Sequence, residues 1–209
     1  MAYDAHDEAW DDFHARLSEE LYPEHRDHAI TEFTSDRLRS FYIKNPKLMA
    51  PAFDMYYEAK MLVKHERPTP AVVFFMATLE LLLKAALLKP IVYGLVHNDG
   101  LAGLIVEHAL GQTGFDRYKG LLAKIFENIT KIDISTVKRP NTSSPLLDEA
   151  VDLQRLRNKI IHQGATCSAS DALRAEEIVE VAFESIVNPI LSTLGLASKP
   201  SGNGEITGV

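Results

Sequence analysis

The chain has 209 residues, enough for one helical domain with a sizeable core plus an extension, and its 46% hydrophobic and 24% charged content is that of an ordinary soluble globule. A formal charge of −7 excludes a general nucleic-acid coat protein, which would carry a basic face, but leaves room for a small local basic site. The single cysteine, Cys167, excludes an internal disulfide framework and a Cys-rich zinc site, and it fits a reducing cytoplasm.

Residues 1–20 are acidic and lack the apolar core of a secretion signal. Ala5, Ala9, Trp10, Phe13, Leu17 and Leu21 recur at helical spacing, so 4–21 is expected to be an amphipathic helix. It serves either as a docking arm for a partner or as an extra helix on the bundle. The acids and histidines there, and His25 and His28 with their acidic neighbours, have no spacing that fixes a coordination geometry; no metal site is expected. A short helix follows Thr34 through Leu38 and Tyr42, which makes 1–45 an N-terminal helical extension.

Asn45-Pro46 reads as the cap and first turn of a helix running to about residue 65. Tyr56 and Tyr57 on it are candidates for stacking on bases, with one of them in the core. Thr69-Pro70 opens a nearly all-apolar helix. It is broken by Thr78, Glu80, Lys84, Lys89 and Pro90, so burial in a core explains it better than a membrane span. Lys89-Pro90 should kink or end it. Further helices are expected from Asn98-Asp99-Gly100 to Gly111 and over Phe115–Ile129.

Residues 130–144 form a long irregular stretch made locally basic by Lys131, Lys138 and Arg139, either a clamp over RNA or a connector. Ser144-Pro145 then starts a helix that Gly164 stops. Ser170-Asp171 caps a last helix to about 194. The Gly/Ser/Pro-rich stretch 196–209 is expected to be a disordered tail, leaving 46–195 as the helical domain.

The chemistry concentrates in the helix before Gly164. Arg157, Asn158 and His162 combine a permanent cation, an amide and an imidazole within six residues. Asn158 and His162 are four apart and share a face. Arg157 and His162 differ in direction by roughly 140° at 3.6 residues per turn, so a second copy across a two-fold axis would bring both side chains to one groove. Arg grips phosphate oxygens, and His gives or takes a proton near neutrality. Together they suit cleavage of RNA through its own 2′-hydroxyl without a metal. The plain alternative is an arginine paired with a surface acid and a helix-end histidine.

Arg-Asn-x-x-x-His followed by Gly resembles the Arg-x(4–6)-His motif of the HEPN superfamily of helical nucleotide-binding and ribonuclease domains. The likeness extends to residues 70–89, which look like the family's early core helix with its embedded acid, here Glu80, and to the closing helix 171–194. The resemblance implies an all-α antiparallel bundle and a homodimer. It also implies a metal-independent endoribonuclease without a cofactor, often in toxin–antitoxin or antiphage systems, with many members inactive.

On that footing Arg157 binds the scissile phosphate, His162 is the acid or base, and Asn158 orients His162 or a phosphate. Glu80 either orients the Arg or His or pairs locally with Lys84. Arg155, Lys159, Lys138 and Arg139 add RNA contacts. The competing expectation is a non-catalytic helical module that dimerises or binds a protein partner such as an antitoxin.

Overall fold

In the computed structural model the described residues are 10, 12–16, 32–96, 99–106, 115–199 and 204–208. The chain divides into two units, Met1–Arg37 and Leu38–Val209. In the first, residues 12–16 are helical and the Trp10 ring stacks on His14 at 5.5 Å between centroids. The rest of the expected 4–21 helix, His25 and His28 lie outside the described residues, as do 107–114. Helix α1 covers 32–44. The break falls earlier than the expected residue 45, because Leu38 and Tyr42 are buried in the core of the second unit.

Among the described residues the second unit is all-α except for one small hairpin. After α1 come α2 (Ala50–Lys64), α3 (Pro68–Leu83), α4 (Lys89–Leu95), α5 (Asp99–Ile105) and α6 (Phe115–Thr130). They are followed by α7 (Leu146–Gln163), α8 (Ala169–Ala182) and α9 (Asn188–Thr193). Helix α3 is the centre: α2, α7 and α8 all pack on it. Its sequence explains that position. It is apolar on nearly every side, so it must be covered all round, and Val72, Phe75, Leu79 and Leu83 are fully enclosed. The stretch Pro68–Gly94 is long and apolar enough to cross a membrane, yet most of it is buried inside the protein.

Pro90 does not end this helix. A wide π-helical turn, Lys84–Leu88, precedes it, and there the Lys89 N–H bonds to the Lys84 carbonyl five residues back. Proline has no N–H to offer and would crowd the carbonyl four residues back, that of Ala86. The buried Tyr42 hydroxyl donates to that Ala86 carbonyl instead, so the group freed by the proline is satisfied from α1. A second π-helical turn, Phe183–Val187, leads into Pro189 at the start of α9 in the same way. Sequence rules treat Pro as a breaker; here each widened turn carries the chain through it.

Other boundaries also shift. Residues 46–49 form a turn and α2 begins at Ala50. Pro145, not Ser144, occupies the cap position of α7. The cap of α8 is Ser168 rather than Ser170: its hydroxyl accepts from the Asp171 N–H, and the Asp171 carboxylate accepts from the Ser168 N–H at 2.9 Å.

The tail expected to be disordered forms an antiparallel hairpin, β1 (Leu196–Lys199) paired with β2 (Glu205–Gly208). Leu196 and Ile206 are buried in the main core, and the Ile206 N–H donates to the Pro46 carbonyl at 2.9 Å. Gly204 sits against the Phe53 ring with φ +71, where an added Cβ would lie 2.2 Å from a ring carbon. No side chain fits there.

Candidate functional site

Helix α7 carries the candidate residues, and its two halves lie in different environments. Leu146, Leu147, Ala150 and Leu153 face the core, which fixes the rotation of the whole helix. Beyond Gln154 the helix emerges: Leu156, Arg157 and Ile160 are half-buried, while Asn158, Lys159, Ile161 and His162 are exposed. Gly164 ends the helix in the left-handed conformation at φ 66, its N–H returning to the Lys159 carbonyl. The following loop is pinned to the start of α3, where the Cys167 N–H donates to Thr69 Oγ1 at 3.2 Å.

The structure brings Arg157 and Asn158 together: Arg157 Nη1 donates to Asn158 Oδ1 at 3.0 Å. Among the described residues no hydrogen bond joins His162 to either, and no carboxylate pairs with Arg157, Lys159 or His162. From Arg155 to Gln163 the helix holds two arginines, a lysine and a histidine and no acid, within a chain of charge −7. Cations here complement the negative end of the helix dipole, and they keep their donors available to an anion. Arg155 is the partial exception, because its Nη1 donates to Asp152 at 3.1 Å in an exposed pair.

Of the two readings of Glu80, the structure shows the local pair: its carboxylate accepts from Lys84 Nζ at 2.7 Å, one turn along α3. The four-residue spacing permits that pair without any long-range contact.

Arg139 is not an open clamp. Its guanidinium is largely buried, with Nε 2.9 Å and Nη2 2.6 Å from Glu149 Oε2, while Nη1 donates to Glu177. Arg174 Nε donates to the same Glu149 oxygen at 3.0 Å. Burial pushes the Glu149 carboxyl up, but the hydrogen bonds from Arg139 and Arg174 outweigh it and hold the group below the ordinary glutamate range. This network ties the 131–145 connector to α7 and α8. The signal that could have found it is the place of Glu149 among the apolar positions Leu146, Leu147, Ala150 and Leu153, since a buried acid needs a partner. Lys138, one residue earlier, is exposed.

A second feature was only half visible in the sequence. Between α2, α3 and α8 lies a cavity of about 290 Å³ walled by Phe53, Tyr56, Tyr57 and Phe183, with Glu180 and Glu184 on the α8 side. Tyr56 and Tyr57 had stood out as aromatic neighbours; the acids and Phe183 had not. No cluster of His, Cys, Asp and Glu suited to a metal ion occurs among the described residues. No protein-family model, no curated protein and no solved structure matches this chain.

Proposed function

We propose that the protein is a metal-independent endoribonuclease of HEPN type, acting as a homodimer in the cytoplasm. The supporting observation is the exposed end of α7, where Arg157, Asn158 and His162 sit on a firmly packed helix without a competing acid. Arg157 holds the scissile phosphate through its guanidinium fork. Asn158, already bonded to Arg157, fixes the direction of that fork. His162 takes the proton of the attacking 2′-hydroxyl or returns one to the departing 5′-oxygen, and the second copy's His162 supplies the opposite transfer. The bond from phosphorus to the 5′-oxygen breaks as the bond to the 2′-oxygen forms, leaving a 2′,3′-cyclic phosphate and a 5′-hydroxyl.

The test is RNA cleavage in EDTA by the wild type, Arg157→Ala and His162→Ala, with oligomeric state measured by light scattering. The wild type should cut as a dimer, and each variant should lose at least about a hundredfold while keeping its melting temperature. Equal cutting by all three rejects the mechanism.

A second reading is a non-catalytic module. It is favoured by the exposure of Asn158 and His162 and by the cavity between α2, α3 and α8, which includes none of the motif residues. In that case His162→Ala changes oligomeric state or partner binding and no RNA is cut.

A further inference from the structure

The cavity between α2, α3 and α8 has a chemistry of its own. Its aromatic walls interlock: Phe53 meets Phe183 edge-on at 5.3 Å and Tyr57 at 6.4 Å, and Tyr56 meets Tyr57 at 5.7 Å. Ring faces carry negative potential and attract cations. The charged side chains lining the cavity are both acids, Glu180 and Glu184. Glu180 is engaged, accepting from the Tyr56 hydroxyl at 2.5 Å with Lys60 Nζ 3.7 Å away. Glu184 has no partner among the described residues, and the half-buried Asn188 amide lies beside it on the lining.

The rim already holds one ammonium. Lys60 Nζ lies 5.3 Å from the Tyr56 ring centroid, 3.3 Å from the Tyr56 hydroxyl and 2.7 Å from Glu176. The protein's own lysine thus occupies the Tyr56 side of the rim and is spent on Glu176. Glu184 is solvent-exposed and keeps a second acidic charge on the rim, next to Phe183. The wall next to Glu184 is the π-helical turn Phe183–Val187, an irregularity of a kind frequent at binding sites.

We propose that this cavity binds a small organic amine, an ammonium group on an apolar or aromatic body. A cavity of about 150 Å³ holds a benzene ring, so about 290 Å³ takes a ring with a short aminoalkyl arm. The ring enters among Phe53, Tyr57 and Phe183, and the ammonium meets Glu184 and the Asn188 carbonyl. Anions are excluded by the two carboxylates, so stacking of a nucleotide on these tyrosines is disfavoured by its phosphate. The site is independent of the α7 motif.

The probes are phenethylammonium, 2-phenylethanol and phenylacetate, titrated onto the full chain by calorimetry and by amide-shift NMR. Phenethylammonium should bind in the millimolar range, with shifts on α2 and α8. Each of the other two should bind at least about fivefold more weakly. Glu184→Gln should weaken the amine about threefold, the scale of one partly exposed charge contact, and Tyr57→Leu by a similar factor, with melting temperatures unchanged. The proposal is overturned if the alcohol binds as well as the amine, if no probe binds up to tens of millimolar, if the shifts lie elsewhere, or if Glu184→Gln leaves affinity unaltered.

Discussion

The first and second halves of α7 use the same kinds of residue to opposite ends. From Leu146 to Gln154 the core-facing side chains are packed, and the buried acid Glu149 is gripped by two arginines. From Arg155 to Gln163, Arg155, Lys159 and His162 are exposed, and the half-buried Arg157 donates to the amide beside it. A buried charge is tolerated only when it is paired, so Arg139 and Glu149 serve the fold; the arginine bonds converge on Glu149 Oε2, while its Oε1 is buried without a hydrogen bond. A charge on the open half costs the fold little and retains its donors. The first half therefore sets where the second half points.

The largest expected contrast lies in apolar truncation. Leu153→Ala should destabilise by about 3 kcal/mol through the cavity it leaves, because Leu153 is fully enclosed. Ile161→Ala, two turns on and 46% exposed, should stay within about 0.5 kcal/mol. Denaturant titration of both checks this, and equal losses would show that the two halves are packed alike.

Next comes Arg139→Ala, expected to cost about 2 kcal/mol for lost hydrogen bonds to a buried carboxylate. Arg174 remains as a partner, which keeps the loss from being larger. The same variant should loosen residues 131–145 in hydrogen exchange, whereas Lys138→Ala should do neither.

A smaller effect follows from acid. Glu149 has its folded pKa held below its ordinary value of 4.5, so its contribution is fully present above that pH. It is lost as pH falls through the lower folded value. Wild type should lose stability more steeply than Glu149→Gln over that interval in pH-dependent unfolding; parallel curves would mean that the carboxylate is not gripped.

Much of this was legible in the sequence, and the gaps have physical causes. Pro145 and Gly164 bracketed α7 to within one residue because a proline start and a left-handed stop are local effects, and the density of apolar residues in 70–89 marked α3 as central. Pro90 misled because its rescue is remote: Tyr42, on another helix, satisfies the Ala86 carbonyl. The hairpin was missed because single residues, Leu196 and Ile206, anchor it within a stretch whose composition reads as disordered. Arg139 looked free because neighbours in sequence do not reveal a buried carboxylate ten residues downstream. The exposure of the end of α7 was not legible from spacing, because apolar residues recur through Ile160 and Ile161 although Ile161 is exposed.

The most direct measurement is the chemistry of the ends left when RNA is incubated with the protein in EDTA, read by mass spectrometry. Wild type should leave 2′,3′-cyclic phosphate and 5′-hydroxyl ends that are absent with His162→Ala. Ends bearing a 5′-phosphate and 3′-hydroxyl, or the same cyclic products from His162→Ala, would contradict a metal-free proton transfer at the open end of α7.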